Sequence, residues 1–295
     1  MLKLGFIGAG TVGTALAAKL NGQEYAVVAA SSRTGGSARK LAEMIPGCQA
    51  RDNQGVADAA ELVFITTPDD VIARVAAGVR WHPGQSVVHC SGAASTDILE
   101  PAREQGAGVG TIHPLQTFAS VTEAMTNLPG STFALEGEAP LLTTLQGLAG
   151  HLQGSWIELK SSDKVLYHAA AVMACNYLVT LVKLATDLWQ TFNVPPETAT
   201  RALLPLLRGT LHNITTVGIP GCLTGPIARG DTGTIGKHLA ALDKAAPQVA
   251  ATYRELGRQT VPVALAKGKI SQPQAAELLA VLAPTETNSV KGGNR

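Results

Sequence analysis

The feature that most constrains the fold is a glycine-rich turn near the start of the chain. An apolar run beginning at Leu2 is typical of a buried parallel strand, and a GxGxxG spacing follows it and opens a helical pattern. Gly8 permits the tight turn, Gly10 has no Cβ to block a pyrophosphate, and Gly13 lets the helix pack closely. The first N–H groups of the helix can bind phosphate oxygens. The predicted dinucleotide-binding residues of this turn are Gly8, Gly10, Thr11, Val12 and Gly13.

The end of the second strand indicates which dinucleotide binds. The apolar residues 26–30 lead into Ser31, Ser32 and Arg33. In the NAD version of this fold, an Asp or Glu at this point holds the ribose hydroxyls, and neither is present here. Hydroxyl groups and a guanidinium suit a 2′-phosphate, so the sequence predicts NADP(H). The alternative is that Arg33 is a solvated loop arginine.

Further strand candidates alternate with helices along the first half of the chain, which predicts a doubly wound parallel sheet. These candidates are residues 61–66, 86–90, 108–112, 131–135 and 155–159. The carboxyl ends of such strands face the cofactor. We therefore expect Thr66, Thr67 and Pro68 to line the region that holds the adenosine and its ribose.

The character of the chain changes after residue 160. Residues 163–192 form a continuous helical pattern without Gly or Pro, and no convincing strand follows. Further helices are predicted over 196–217, 231–257, 259–267 and 272–282. The predicted architecture is α/β, with a Rossmann-type doubly wound parallel sheet in residues 1–160, an all-α domain in 161–285 and a flexible tail in 286–295.

Composition narrows the classes of function. The net charge of +1 gives no indication of nucleic acid or of an anionic membrane surface as a partner. Apolar runs look too short to span a bilayer, and the first strand leaves no room for a signal peptide. The four cysteines lack metal or disulfide spacing, which favours a cytoplasmic protein. With only 15% charged residues, we expect a partner chain to cover part of the surface.

The start of the long helix carries the first candidates for catalysis. Lys164 and His168 are four residues apart and share a face, among small alanines that leave room for a ligand. Cys175 lies almost on the same line along the helix as Lys164 and His168. Asn176 lies close to that line and is a candidate to bind substrate. Reducing a carbonyl requires a hydride and a proton, which Lys164 first and His168 second could supply. The alternative is a snorkelling lysine and a buried histidine.

Strand ends and one loop supply further candidates. His113 ends a strand at the edge of the sheet that faces the cofactor. Ser91 and Gly92 follow the end of another strand, where they could offer a hydroxyl and a backbone N–H to a substrate carboxylate. His89 is expected in the core, and no metal site is predicted. Arg229 could bind an anionic substrate group or a partner subunit, and Asp231 could cap the following helix.

Five segments carry a resemblance to known proteins. They are GFIGAGTVG (5–13), SSRT (31–34), HPLQTF (113–118), DKVLYHAAAVMACNYL (163–178) and LTGPIARGD (223–231). The N-terminal half resembles the NADP-binding domains of the 6-phosphogluconate-dehydrogenase-like superfamily, which includes ketopantoate reductase, pyrroline-5-carboxylate reductase and F420-dependent NADP reductases. The whole chain more closely resembles a bacterial family of NADP oxidoreductases with a Rossmann-like domain and a helical domain of unknown function.

This resemblance implies a function and a site. In 3-hydroxyacid dehydrogenases of the superfamily, a Lys and an Asn four residues later open the interdomain helix; Lys164 matches the Lys, and His168 stands in place of the Asn. The implied activity is NADPH-dependent reduction of a small 2-oxo or 3-oxo acid, with ketopantoate as one candidate, in a homodimer formed through the helical domain. The alternatives are an imine reductase related to pyrroline-5-carboxylate reductase and a non-enzymatic NADP(H) sensor or scaffold. F420 as a second substrate also remains open.

Overall fold

The computed structural model describes residues 1–284, so the predicted tail at 286–295 lies outside the described residues. The chain divides into two compact units, of which the first is Met1–Asn176 and the second begins at Tyr177. The sequence placed this boundary after residue 160. The compact boundary falls later because the helix that begins at Lys164 has that lysine buried among residues of the first unit's sheet.

One sheet of eight strands forms the centre of the first unit. The strands are β1 (Leu2–Ile7), β2 (Tyr25–Ser31), β3 (Gln49–Ala50), β4 (Leu62–Ile65), β5 (Ser86–His89), β6 (Gly108–Leu115), β7 (Thr132–Gly137) and β8 (Ser155–Glu158). Their order across the sheet is β3-β2-β1-β4-β5-β6-β7-β8. The predicted α/β class is confirmed, but the sheet is not wholly parallel. β6 and β7 pair antiparallel, so β7 and β8 run against the other strands.

Helices cover both faces of this sheet. They are α1 (Thr11–Leu20), α2 (Gly36–Met44), α3 (Asn53–Ala59), α4 (Asp69–Gly78), α5 (Glu100–Arg103), α6 (Val121–Asn127), α7 (Leu141–His151) and α8 (Lys164–Ala174). Successive strand residues point to opposite faces, so Phe6 and Phe64 belong to one core while Ile7 and Ile65 belong to the other. The rings of Phe6 and Phe64 stack with centroids 4.7 Å apart. The central strands are therefore buried on both sides, as in other parallel sheets.

The described part of the second unit is all helical, as predicted. Its helices are α9 (Asn176–Gln190, whose first residue closes the first unit), α10 (Pro196–Val217), α11 (Thr232–Ala245), α12 (Pro247–Ala266) and α13 (Gln272–Val281). Ile235, Val261 and Leu278 form its main core. Asp231 caps α11 by accepting from the N–H of Thr234, as predicted. The predicted break near residue 258 is wrong, since the helices separate where Pro247 begins α12.

The predicted continuous helix over residues 163–192 is instead two helices. Cys175 separates α8 from α9. The stretch Ser161–Gln190 is nevertheless long and apolar enough to cross a membrane, with a mean hydropathy of 1.7, so the expectation that no run reaches this length is wrong. One such helix is weak support for a membrane protein. Its first turn also holds the buried Lys164, which is paired with Glu136 of the sheet.

Candidate cofactor cleft and active site

The glycine turn between β1 and α1 is fixed by close backbone packing. Gly8 has a φ of +113°, and a Cβ there would lie 2.7 Å from the carbonyl group of Thr66. A Cβ on Gly13 would lie 2.2 Å from the oxygen of Gly8 and 2.5 Å from Oγ1 of Thr66. A Cβ on Gly10 would have no neighbour within 4 Å. Gly8 and Gly13 therefore serve the packing of the turn, whereas Gly10 borders open space that a ligand can occupy.

The start of α1 offers backbone donors to that space. Gly10 is the N-cap and has no side chain to cap the helix. Thr11, Val12 and Gly13 follow in the first turn, where N–H groups have no intrahelical partner. These N–H groups and the positive end of the helix dipole suit phosphate oxygens.

A cleft of about 920 Å³ opens beside this turn at the carboxyl edge of β1, β2 and β4. Most of the cofactor-binding residues predicted from the sequence line it. They are Gly8, Gly10, Ser31, Ser32, Arg33, Thr66, Thr67 and Pro68. Thr11, Val12 and Gly13 are absent from the lining. The turn, the end of β2 and the end of β4 thus contribute to one cleft.

The three residues at the end of β2 have different tasks. The hydroxyl of Ser31 donates to Oδ1 of Asn53 over 2.7 Å, and Oγ of Ser32 accepts from the N–H of Ala38 over 3.1 Å. Ser31 therefore contacts the start of α3, and Ser32 contacts the first turn of α2. Arg33 is exposed and brings a positive charge to the cleft lining. Of the three, Arg33 is the group best placed to recognise a 2′-phosphate.

Sequence reasoning missed several residues of the cleft. Asn53 and Gln54 line it from α3, a helix that the sequence did not indicate. Arg74 lines it from α4 and is exposed, so it adds a second guanidinium. The alternation of strands and helices predicts a helix after the strand that ends near Thr67, so an arginine in that segment was the available signal. The hydroxyl of Thr67 is buried and has no hydrogen-bond partner among residues 1–284.

Lys164 lies in a buried polar network rather than in an open cleft. Its side chain is 1% exposed, and Nζ donates to Oγ1 of Thr111 over 2.7 Å. Nζ lies 3.6 Å from Oε2 of Glu136. The Glu136 carboxylate also accepts from the hydroxyls of Thr96, at 3.0 Å, and Ser161, at 2.5 Å. The charges of Lys164 and Glu136 are therefore compensated within the first unit.

This burial affects the titration of Lys164. Desolvation lowers the pKa of its ammonium group, while the nearby Glu136 carboxylate opposes that shift. Nζ faces Thr111 and Glu136, and these contacts attach the first turn of α8 to β6 and β7. The catalytic role of Lys164 stays a prediction.

Two imidazoles meet where β6 and α8 come together. The ring centroids of His113 and His168 lie 6.2 Å apart with planes at 79°. Nδ1 of His113 lies 2.7 Å from the hydroxyl oxygen of Tyr167. A Cβ on Gly92 would lie 2.7 Å from Cδ2 of His168 and 2.8 Å from Nε2 of His113. The structure thus brings together three predicted site residues, His113, His168 and Gly92, and adds Tyr167.

The protonation of this cluster follows from burial. Desolvation, reinforced by the Coulombic effect of Lys164 and of the neighbouring His168, lowers the pKa of His113 to about 4. Desolvation raises the pKa of Tyr167 to about 12. Near neutral pH, His113 is therefore a neutral imidazole and Tyr167 a neutral phenol.

Ser91 is built into its loop. Its side chain is 4% exposed, and its hydroxyl donates to Oδ2 of Asp69 over 2.6 Å while accepting from the N–H of Ala93. The backbone N–H of Ser91 donates to Nδ1 of His89 over 3.1 Å. His89 is fully buried, as predicted, and desolvation lowers its pKa to about 4. The predicted contact of the Ser91 hydroxyl with substrate is therefore not supported.

The remaining candidates are described within their own units. Asn176 is exposed and begins α9, and Arg229 is exposed in a 3-10 turn of the second unit (Ile227–Arg229). Their substrate-binding roles stay predictions. Over residues 1–284, no group of three or more His, Cys, Asp or Glu side chains is arranged to hold a metal ion.

Two family profiles match the chain. A Rossmann-like domain matches residues 1–114, and a domain of unknown function, DUF2520, matches residues 131–260. The chain therefore combines a Rossmann-like domain with a DUF2520 domain, which confirms the architecture that the sequence resemblance implied. Among curated proteins, no significant sequence match is found.

Solved structures extend the comparison. A candidate NADP oxidoreductase from Bacteroides fragilis has a TM-score of 0.70 and 26% identity, over 88% of this chain and 98% of its own. A protein from Thermotoga maritima has a TM-score of 0.68 and 26% identity, with the same coverages. A reductive aminase from Aspergillus terreus in complex with NADPH and ethyl-5-oxohexanoate has a TM-score of 0.61 over 96% of this chain and 92% of its own. At 16% identity, this last likeness concerns the fold alone.

The buried pair predicts how Lys164 variants behave. Lys164→Met leaves the Glu136 carboxylate buried without its cation, and we expect the free energy of unfolding to fall by roughly 3 kcal/mol. Lys164→Met combined with Glu136→Gln removes both charges and should recover most of that loss. Urea unfolding of the two variants measures this difference.

Lys183→Met is the matched control, because Lys183 forms an exposed pair with Asp187. Such pairs contribute little, so its effect should stay below about 1 kcal/mol. A Lys164→Met protein as stable as the wild type would contradict the structural role of the buried pair.

Proposed function

We propose that the protein is an NADPH-dependent oxidoreductase that reduces a small carbonyl acid, either a 2-oxo or a 3-oxo acid, with ketopantoate as one candidate. The observation that carries the proposal is the 920 Å³ cleft, which is lined by the glycine turn, the end of β4 and Arg33. When bound, NADPH supplies the hydride. The similarity to the candidate NADP oxidoreductase from Bacteroides fragilis supports this cofactor.

Recognition of the 2′-phosphate is assigned to Arg33. A guanidinium binds phosphate by charge-assisted, bidentate hydrogen bonds, whereas NAD-binding members of this fold use a carboxylate at the same strand end. Arg74 adds positive charge to the same cleft. The space beside Gly10, where a Cβ would have no neighbour within 4 Å, leaves room for the phosphates of the dinucleotide.

The imidazoles of His113 and His168 have different roles at the reacting oxygen of the substrate. His168 is half-buried and can transfer a proton, as histidines commonly do in catalysis. His113 stays neutral because of its low pKa, and can stabilise developing negative charge by donating a hydrogen bond. We assign Lys164 no direct part in this proposal, because its ammonium group is buried against Thr111 and Glu136.

One observation favours imine reduction as the second candidate. Asp69 is exposed at the first turn of α4, and its carboxylate accepts from the Ser91 hydroxyl beside Gly92. A carboxylate near the reacting group repels an acid substrate but stabilises an iminium cation. A cyclic imine therefore belongs in the same assay as the oxo acids.

Substitution of Arg33 tests the choice of cofactor. We expect Arg33→Ala to weaken NADPH binding by about 10- to 100-fold, the loss of one charged hydrogen-bonding group, and to change NADH binding little. Fluorescence titration with both cofactors measures the two effects. Arg39→Ala is the control, since Arg39 is exposed on the neighbouring helix but does not line the cleft. Equal losses for NADPH and NADH would remove the argument for NADP preference.

Substitution of His168 tests the reductase itself. NADPH absorbance is followed with a panel of small oxo acids, including ketopantoate, and with a cyclic imine. For the substrate that is reduced, His168→Asn should lower kcat by about 100-fold or more while NADPH binding is kept. His82→Asn, an exposed histidine outside the cluster, is the control. Tight NADPH binding without oxidation by any compound would instead favour a sensor or scaffold.

We also propose that the protein is a homodimer formed through its helical part. Large apolar side chains are exposed on α9 and α10 of the second unit, for example Val179 at 69%, Leu206 at 66% and Leu211 at 54%. Exposed apolar patches of this extent are typical of protein interfaces. Charged residues make up only 15% of the chain, which suits a surface that a second copy covers.

Sedimentation velocity tests this assembly. The wild type should sediment as a dimer, and Val179→Glu combined with Leu206→Glu should shift it to monomer, because charges are excluded from the centre of such interfaces. Met44→Glu places a charge on an exposed apolar residue outside these helices and should leave the dimer intact. A wild type that stays monomeric at high protein concentration contradicts the proposal.

A cytoplasmic location completes the proposal. All four cysteines are free, which is usual in a reducing compartment. The proposed substrate is a small molecule, and the net charge of +1 gives no reason to invoke nucleic acid.

A further inference from the structure

Tyr167 makes a directed contact with His113 that the proposed reaction has not yet used. The hydroxyl oxygen of Tyr167 lies 2.7 Å from Nδ1 of His113, and the two rings are perpendicular, with centroids 5.6 Å apart. The residues come from different elements, α8 and β6. Two steps along β6, Thr111 binds Lys164, which lies three residues before Tyr167. Two polar contacts therefore set how α8 lies along β6.

The direction of this hydrogen bond follows from the protonation of both partners. His113 is neutral near pH 7 and carries a single ring N–H, while Tyr167 keeps its phenolic proton. A phenol is a stronger donor than a neutral imidazole N–H. Among residues 1–284, Nδ1 of His113 is the hydrogen-bond partner found for the Tyr167 hydroxyl. The hydroxyl of Tyr167 therefore donates and Nδ1 accepts.

The surroundings of His113 reinforce its neutral state. The charged and titratable groups that act on it are Lys164 and His168 from α8, His89 from β5 and Asp69 from α4. Burial and the first three lower its pKa, whereas the Asp69 carboxylate opposes them. Near neutral pH the ring of His113 therefore carries a single proton. The contact with Tyr167 indicates which of the two ring nitrogens carries it.

We infer that Tyr167 is a positioning residue that holds His113 as the Nε2–H tautomer. A histidine nitrogen that accepts a hydrogen bond leaves the proton on the other nitrogen. Nε2 faces Gly92, where a Cβ would lie 2.8 Å away, and it has no hydrogen-bond partner among the described residues. Unlike the orphaned hydroxyl of Thr67, Nε2 is not sealed from solvent. The N–H is thus open to a ligand atom beside Gly92.

The consequence for the reaction rests on the proposed function. A neutral Nε2–H donates a hydrogen bond to an oxygen or nitrogen that gains negative charge, without delivering a full positive charge to the site. The substrate class this favours is one with an acceptor atom at the reacting carbon, such as a carbonyl or an imine. In the opposite tautomer, Nε2 would present a lone pair and repel that acceptor.

Nitrogen NMR of the free protein tests the tautomer without any substrate. In ¹⁵N-histidine-labelled wild type, with His113 assigned through its loss in His113→Asn, Nδ1 should be unprotonated and Nε2 protonated across neutral pH. Tyr167→Phe should convert this into a mixture of tautomers, while Tyr177→Phe, an exposed tyrosine on α9, should leave the His113 signals unchanged. A wild type with the proton on Nδ1, or with His113 charged at neutral pH, overturns the inference even if Tyr167→Phe fails to fold.

Turnover gives the second readout once a substrate is known. Tyr167→Phe should lower kcat by about 10-fold with KM for NADPH unchanged, because one oriented hydrogen bond is lost. If no compound is reduced but the NMR result is as expected, the proposed function fails and the tautomer inference stands. If the tautomer is as expected but kcat is unaffected, the role of the Nε2–H in the reaction is contradicted.

Discussion

The buried ion pair between Lys164 and Glu136 determines where α8 lies. Neither charge could remain in the interior alone, since an unpaired buried charge is strongly destabilising. The pair is completed by hydroxyls of Thr96, Thr111 and Ser161, which satisfy the remaining hydrogen-bonding groups. Such pairs often contribute more to the choice of one arrangement than to net stability. In this protein the ion pair fixes the angle and register at which the next turn of α8 faces the sheet.

The cofactor cleft could be predicted from the sequence because its information is local. The whole motif of strand, glycine turn and helix lies within twenty residues, and the geometry of the turn itself requires each of these residue types. The end of β2 could be interpreted in the same way, since the sequence itself shows that no Asp or Glu stands there. Gly8, Gly13 and Arg33 accordingly lie where the motif requires them. Asn53 and Arg74 were missed because they reach the cleft from helices whose orientation depends on packing.

The candidate active site around Lys164, His113 and His168 was only partly predictable, because its contacts join residues far apart in the chain. Helical spacing correctly placed Lys164 and His168 on one face, but it could not show that Glu136 comes near Lys164. That encounter depends on β7 pairing antiparallel with β6, which brings Glu136 opposite Thr111. Strand patterns do not distinguish the two directions of a buried strand. The sequence therefore shows a lysine in an apolar stripe but not the carboxylate that this lysine meets in the fold.

The close packing of the glycine turn also restricts how this part of the chain can vary. Oγ1 of Thr66 donates to the oxygen of Gly8 over 2.5 Å and occupies the place that a Cβ on Gly13 would need. Substitutions at these three positions share the same few atoms, so their effects cannot add independently. An alanine at 13 requires the hydroxyl of Thr66 to move, and that movement releases the oxygen of Gly8. A Cβ at position 13 would also lie 2.2 Å from the backbone oxygen of Gly8, and no change of side chain at position 66 removes that contact. An evolutionary or engineered path through this turn must therefore keep glycine at position 13, while position 10 is constrained by the ligand rather than by the protein.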